Sequence, residues 1–173
     1  MNPRSKVFGG ARDIAICAAM AALLEVSKLS LSWLANVELV SFLILLFACC
    51  FGWRALPATV AFVGLEILVW GFGLWTISYL YLWPLLALIG LLLRKMHPAL
   101  GWALVSGVFG LIFGALCAIP YLFIGGWQFA FSWWIAGIPF DLVHGGANFI
   151  IALILWKPLH KLLQPLQRKL FQK

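Results

Sequence analysis

Apolar residues fall into six long runs that short polar connections separate. The runs are continuous and do not alternate residue by residue, so they predict α-helices and not the strands of a membrane β-barrel. Each approaches the roughly 20 residues that an apolar helix needs to cross a bilayer. The sequence therefore predicts an all-α, polytopic membrane protein, a single domain over residues 1–173 with six transmembrane helices. The runs cover residues 11–31, 38–53, 56–75, 78–93, 99–123 and 132–156.

The composition supports a membrane protein and excludes several other classes. Of the 173 residues, 65% are hydrophobic and only 10% are charged, and the mean hydropathy is +1.06. Soluble domains average about 25% charged residues. The composition therefore excludes a water-soluble enzyme, a nucleic-acid-binding protein and a disordered chain.

Basic residues occupy alternate connections and so predict an orientation. They precede or open the first run, separate the second run from the third and the fourth from the fifth, and follow the sixth. The positive-inside rule places these connections in the cytoplasm. Both termini, including residues 1–10, are then cytoplasmic in a multi-pass protein of the plasma membrane. The residues are Arg4, Lys6, Arg12, Arg54, Arg94, Lys95, Lys157, Lys161, Arg168, Lys169 and Lys173.

The last segment, residues 157–173, has a different pattern from the six runs. Leucines recur there at helical spacing among lysine, arginine and glutamine residues, which predicts an amphipathic cytoplasmic helix bent at Pro165. It can lie against the inner leaflet or dock on a cytoplasmic partner, and the sequence favours neither. The leucines are Leu159, Leu162, Leu163, Leu166 and Leu170.

Charged residues inside the first run have structural interpretations. Asp13 follows Arg12 in the first turn, where the helix dipole favours an acidic group. Glu25 and Lys28 are three residues apart on one helical face. That spacing predicts an ion pair within the helix.

Two other acidic residues have both a structural and a ligand-binding interpretation. Glu38 follows Asn36 in the connection before the second run, where it can cap the helix or face an external site. Glu66 lies within the third run, one turn before Trp70. It can bond a neighbouring helix or line a cavity, because a carboxylate in an apolar run needs a polar partner. We therefore include Asn36, Glu38 and Glu66 among the candidate substrate-binding residues.

The sixth run carries a polar stripe. Asp141, His144 and Asn148 follow at spacings of three and four, so they share one helical face that cannot face lipid. The stripe can fasten helices together or contribute to a site at the outer end. We assign Asp141 to the substrate-binding set and a structural role to His144 and Asn148.

Aromatic residues are distributed unevenly between the two predicted sides. Seven of the ten tryptophans fall toward the outside, whereas interfacial belts alone would divide them between both faces. An outer pocket lined by rigid rings explains this excess; belts combined with chance are the alternative. The candidate pocket residues are Trp70, Trp75, Tyr79, Tyr81, Trp127 and Trp133.

Catalytic and metal-binding motifs are not found in the sequence. The chain has no H-E-x-x-H pattern, no G-x-S-x-G elbow and no P-loop. The four cysteines lie in apolar runs without a C-x-x-C pair, as buried small side chains do. We therefore expect no metal, no cofactor and no enzymatic activity.

Ala11, Ala15 and Ala19 form a face of small side chains on the first helix, where another helix can approach closely. This A-x-x-x-A face, together with the size and the six spans, resembles the S components of energy-coupling-factor (ECF) vitamin transporters. Three strings strengthen the resemblance, which is greatest to the cobalamin-type S components: NVELVSFLILLF from Asn36, WGFGLWTISYLYLWPLL from Trp70 and GIPFDLVHGGANF from Gly137.

The resemblance implies a function and a set of partners. An S component captures a vitamin in a pocket near the outer surface and topples against a transmembrane coupling subunit. Two separate ATPase subunits hydrolyse the ATP, and Ala11, Ala15 and Ala19 would form the docking face for the coupling subunit. The partners are therefore a small-molecule vitamin, these three subunits and membrane lipid, without nucleic acid.

The identity of the ligand is less constrained. An aromatic pocket with few charges suits a bulky and largely neutral vitamin, so we expect cobalamin. Pyridoxine, folate, pantothenate or a queuosine precursor are alternatives. Two other classes are a stand-alone transporter, with Glu66 or Asp141 as the proton carrier, and a structural subunit that binds no small molecule.

Overall fold

The computed structural model describes residues 10–171, and it confirms the all-α prediction. No strand occurs in this part of the chain. Short connections, one of them a 3₁₀ turn at Gly52–Arg54, join six helices. These are α1 (Ala11–Ser30), α2 (Val40–Phe51), α3 (Ala55–Trp70), α4 (Leu74–Leu92), α5 (Ala99–Cys117) and α6 (Ile119–Phe171).

Successive helices run in opposite directions between two ends of a bundle. The Asn36 end holds residues 31–39, between α1 and α2, and residues 71–73, between α3 and α4. The Arg54 end holds residues 52–54, between α2 and α3, and residues 93–98, between α4 and α5. Side-chain pairs that join helices distant in sequence establish this arrangement.

Two contacts locate the start of α1 and the later part of α6 at the Arg54 end. The Arg54 guanidinium donates to Asp13 over 2.6 Å, and Cys49 Sγ lies 3.9 Å from His160 Nε2. The remaining helices follow, because each connection is too short to cross the bundle.

The core lies around α2, whose side chains are almost all buried because the other helices surround it. Trp102 and Trp156 stack at 4.2 Å between α5 and α6, and Phe42 of α2 meets Trp156 edge-on at 6.2 Å. Closer to the Asn36 end, α5 and α6 approach each other so tightly that a Cβ on Gly110 would lie 2.7 Å from the Cα of Gly145. Glycine is therefore required there for the two backbones to pack.

Within residues 10–171, four helical stretches are long and apolar enough to cross a membrane. The first of them contains both α2 and α3 with the reversal between them. Helix α1 is not among the four, although it has 20 residues, because it contains Arg12, Asp13, Glu25 and Lys28. The stretches are Val40–Trp70, Leu74–Leu92, Ala99–Cys117 and Ile119–Leu170.

The last two predicted runs differ from the observed helices. The run predicted over 99–123 ends at Cys117, and the helical path breaks at Gly126 (φ 73°, ψ −174°) inside α6. Only glycine adopts such a conformation readily. After this break, the sixth run and the described part of the predicted amphipathic segment form one helix, with prolines 158 and 165 inside it. The terminal segment is therefore not a separate element, and residues 1–9, 172 and 173 lie outside the described part.

Candidate functional site

A cavity of about 320 Å³ lies at the Asn36 end of the bundle. One wall is the connection between α1 and α2, from Leu31 to Glu38, and the other walls come from α1, α3, α4, α5 and α6. Ligand pockets of small molecules usually measure about 300–1,000 Å³. The cavity therefore falls at the lower end of the size range of known binding sites.

The backbone of Asn36 shapes the cavity wall. Asn36 has φ 59°, the one positive value for a non-glycine residue in the described chain. Asparagine tolerates this left-handed conformation better than most residues because its short polar side chain bonds locally. The turn at Asn36 directs the chain back over the bundle before α2 begins.

A continuous series of rings forms the aromatic side of the cavity. Trp75 meets Tyr79 edge-on at 5.2 Å, and Tyr79 meets Trp83 at 5.1 Å. Trp83 lies 5.5 Å from Phe113, which in turn lies 4.8 Å from the imidazole of His144. Rings in such edge-to-face contacts hold each other in place, so the surface offered to a ligand is preformed.

Lys28 is the basic group of the cavity, and it forms an ion pair with Glu66 on α3. Its ammonium also lies 4.9 Å from the ring centre of Tyr79, in a cation–π contact. The prediction of a pair between Lys28 and Glu25 is not what the structure shows. Both carboxylates are buried, and Lys28 pairs across to α3 with Glu66, the one that has no exposed surface.

Glu38 combines the two roles that the sequence left open. Its carboxylate accepts hydrogen bonds from the backbone N–H of Ser41 at 2.9 and 3.2 Å, which caps α2. It also lines the cavity and lies 3.2 Å from Nε2 of His144. Burial raises the pKa of Glu38, but the hydrogen bonds from His144 and Ser41 outweigh it and lower the pKa below its usual value.

Six of the ten predicted substrate-binding residues lie at or directly behind this cavity. Glu66 lies behind Lys28, and Trp75 lies behind Tyr79. The four that line the cavity are Asn36, Glu38, Trp70 and Tyr79.

Among the residues that sequence reasoning missed, four further lining residues have a basic or aromatic side chain. Lys28 was assigned to an ion pair within α1, and His144 to a structural network. The spacing of Lys28 and His144 along their helices gave no indication of the helix that each would face. Trp83 and Phe113 have no feature in the sequence that separates them from other aromatic residues. Lys28, Trp83, Phe113 and His144 all line the cavity.

The other four predicted residues lie around α5 and α6, outside this cavity. The Tyr81 hydroxyl donates to the carbonyl of Leu116 over 2.5 Å, and Asp141 accepts a hydrogen bond from the N–H of Gly114 at 2.9 Å. Both side chains thus fasten α5 to its neighbours. Trp133 stacks on the ring of Tyr121 at 4.8 Å.

Trp127 lines a second cavity, of about 210 Å³, between the end of α5 and the start of α6. This cavity is apolar, because alanine, isoleucine, leucine and aromatic side chains form its walls. Its other lining residues are Ala115, Ala118, Ile119, Leu122, Ala130, Phe131 and Trp134.

The small-residue face of α1 is open to the surroundings. Ala11, Ala15 and Ala19 are exposed, whereas the opposite face of the helix, including Met20 and Leu24, packs into the core. The helix is thus fixed by one face and leaves the other accessible to a partner.

Comparisons with known proteins add no further constraint. No group of three or more His, Cys, Asp or Glu within residues 10–171 is arranged to hold a metal ion. No protein family, curated protein or solved structure that was compared matches the chain.

Proposed function

We propose that this chain is the substrate-binding S component of an ECF vitamin transporter in the plasma membrane. It would cross the membrane six times, with the Asn36 end outside, and capture a vitamin in the cavity at that end. Delivery would follow by toppling against a transmembrane coupling subunit, while two separate ATPase subunits hydrolyse ATP. The observation that carries the proposal is the cavity, with its preformed aromatic side and its paired charges.

The charges of the cavity support a largely neutral ligand. Lys28 pairs with Glu66, and Glu38 lies against His144. The lysine and both carboxylates thus already have partners, so an ionic ligand would have to compete with an existing contact. The rings of Trp70, Tyr79 and Trp83 remain available for contact, as in sites that hold a planar ligand by packing.

The volume of the cavity bears on which vitamin is bound. The resemblance of the sequence favours cobalamin, whose corrin ring and nucleotide are larger than an ordinary drug-sized ligand. A cavity of about 320 Å³ favours a smaller vitamin such as pyridoxine unless residues 31–39 move outward. Folate, pantothenate and a queuosine precursor are intermediate alternatives.

The exposed face of α1 supports docking on a coupling subunit. Small side chains allow two helices in a membrane to approach closely and pack by van der Waals contact. Ala11, Ala15 and Ala19 leave such a surface uncovered. The cavity lies at the end of α1 opposite to Ala11, so docking and ligand capture would use different parts of the same helix.

Copurification and a binding panel test the proposal. We expect the full chain, expressed with the coupling subunit and the two ATPases, to form a complex. The isolated chain should bind one vitamin from a panel of cobalamin, pyridoxine, folate, pantothenate and a queuosine precursor. No complex and no binding would support a structural subunit of another assembly. Uptake driven by a proton gradient without the ATPases would support a stand-alone transporter.

Substitution on α1 separates docking from binding. Ala15→Leu should abolish ATP-dependent uptake and complex formation, because the larger side chain keeps the coupling helix away, and should leave vitamin affinity unchanged. Ala136→Leu adds the same volume at an exposed position of α6 and serves as the control. Lost affinity with retained assembly for Ala15→Leu would contradict the docking assignment.

A further inference from the structure

Three charged residues form a cluster behind the Asn36-end cavity. Glu25 and Lys28 belong to α1, and Glu66 belongs to α3. Glu66 is fully buried and Glu25 is 7% exposed. Lys28 pairs with one oxygen of Glu66. With both carboxylates ionised, the cluster would carry one uncompensated negative charge inside the bundle.

Three carboxylate oxygens in this cluster have no hydrogen-bond donor. They are both oxygens of Glu25 and Oε1 of Glu66, and all three are buried. An ionised carboxylate without a donor costs several kcal/mol to bury. The carboxyl group of Glu25 is close enough to Glu66 for the two to interact directly. A proton on one of them would make it a donor to the other.

The other groups that face the cluster do not supply a positive charge. Tyr79 approaches from α4, and its hydroxyl is 3.5 Å from the Lys28 ammonium. Two further titratable groups lie near the Tyr79 hydroxyl: Glu38, just before α2, and Cys117, at the end of α5. Neither of them can carry a positive charge. Nε2 of His144 lies 3.2 Å from Glu38. Among the described residues that contact the cluster, Lys28 is therefore the basic group that balances the two acidic ones.

We propose that Glu25 and Glu66 form a proton-binding site in which one proton is shared between the two carboxyl groups beneath Lys28. One proton brings the cluster to zero net charge and gives the oxygens a donor. Neither a metal ion nor a change in the fold is needed, because the proton is taken from solvent and no bond other than O–H forms.

Through Lys28, ligand binding in the cavity would change the protonation of the Glu25–Glu66 pair. This extension rests on the proposed function. Lys28 both lines the cavity and neutralises Glu66. A ligand with an acidic group would attract Lys28 away from Glu66, and the carboxyl pair would then favour a second proton. Binding of an anionic vitamin would therefore take up a proton, whereas binding of a neutral one would not.

Infrared spectroscopy of the full chain tests the proton site without any ligand. The protein is placed in phosphatidylcholine vesicles in potassium buffer at neutral pH, and the C=O stretch of protonated carboxyl groups is recorded in H₂O and D₂O. We expect a band that shifts in D₂O. Glu25→Gln should remove it, because Lys28 and Glu66 then balance each other as an intact ion pair. Lys28→Met should strengthen it, because both carboxyls then bind a proton.

Asp141→Asn is the matched control. Asp141 is also buried with one unpartnered oxygen, but it contacts α5 and not the cluster, so the band lost in Glu25→Gln should survive in Asp141→Asn. The proposal is overturned if no such band exists, if it survives Glu25→Gln, or if sodium in place of potassium abolishes it, which would assign the site to a metal cation. A failed vitamin panel would leave this result unchanged, so the two proposals fail separately.

Discussion

Two cavities at the Asn36 end of the described bundle differ in chemistry, with volumes of about 320 and 210 Å³. The larger, of about 320 Å³, contains charged side chains of both signs, a histidine and an asparagine. The smaller, of about 210 Å³, has only apolar and aromatic walls, with no charged residue among those that line it. Both contain tryptophan. The aromatic residues that are in excess at this end therefore line two different cavities. Of these two, only the larger has polar side chains in its walls.

The difference means that the larger cavity offers polar groups to a ligand and the smaller one does not. A charged side chain inside a bilayer costs about 2.5–3.5 kcal/mol on insertion scales, so it is retained where it has a partner or a role. Lys28 and Glu38 meet this condition in the larger cavity, because Lys28 pairs with Glu66 and Glu38 lies against His144. The smaller cavity has no charged side chain in its walls. An acyl chain or a rearranged apolar side chain could occupy it without any polar contact.

The largest expected effect concerns the ion pair beneath the larger cavity. Lys28→Met removes the countercharge of Glu66, so folding then requires a further proton on the pair of Glu25 and Glu66, and we expect the free energy of unfolding to fall by about 3 kcal/mol at neutral pH, as for other broken buried pairs. Denaturant unfolding in detergent micelles measures this loss. Lys157→Met removes an exposed lysine and should change stability by less than about 0.5 kcal/mol. Equal effects of both would mean that the ion pair is not structural.

A second substitution tests the contact between α5 and α6, the two helices that contribute walls to both cavities. Gly110→Ala places a Cβ 2.7 Å from the Cα of Gly145, and backbone atoms cannot move aside as a side chain can. We expect a loss of about 2 kcal/mol by overpacking. Gly146→Ala, whose Cβ would meet nothing within 4 Å, is the matched control and should be neutral. Thermal unfolding monitored by circular dichroism compares the two.

Ligand affinity distinguishes the aromatic residues of the two cavities. Tyr79→Ala, and Trp75→Ala behind it, should weaken binding of the vitamin identified by the panel about tenfold, equivalent to about 1.4 kcal/mol. Trp127→Ala and Trp133→Ala should leave it unchanged. Isothermal titration of the four variants gives the comparison directly. A loss confined to Trp127→Ala would move the binding site to the apolar cavity.

The smallest expected effect is a pH dependence at Glu38. Because the folded protein lowers the pKa of Glu38, the ionised group stabilises the fold above the unfolded value of about 4.3, and this contribution is lost as the pH falls through the lower folded value. Glu38→Gln should therefore cost about 1 kcal/mol at pH 7. The difference from the wild type should shrink as the pH falls below about 4.3 and vanish below the lower folded value. A constant difference across this range would exclude the ionised carboxylate as its source.

The sequence predicts the helices well and the partners of polar residues poorly. Long apolar runs indicate helices because only a helix satisfies its own backbone in an apolar medium. The stripe of Asp141 and His144 was correctly expected to face other helices, yet its members face different ones: Asp141 bonds the backbone of α5, and His144 reaches Glu38 before α2. Helical periodicity defines a face but not the neighbour that covers it.

The positions at which the helices break were also not predictable from the sequence pattern alone. The prolines at 84 and 139 interrupt the apolar runs in sequence but lie inside continuous helices. Three of the actual breaks occur at glycines with positive φ, Gly52, Gly71 and Gly126. A proline's missing donor is tolerated where surrounding helices protect the freed carbonyl, whereas a reversal of the chain requires a conformation that glycine adopts without strain.

Helix α6 has a mechanical consequence. After Gly126 it continues with helical dihedral angles past His144, which lines the larger cavity, to the basic turn of Arg168 and Lys169. At 1.5 Å per residue, the segment from His144 to Arg168 is a rod of roughly 36 Å, and a tilt of about 10° would displace its far tip by about 6 Å. A small adjustment near His144 would thus be converted, without any hinge, into a sizeable movement at the Arg54 end of the bundle.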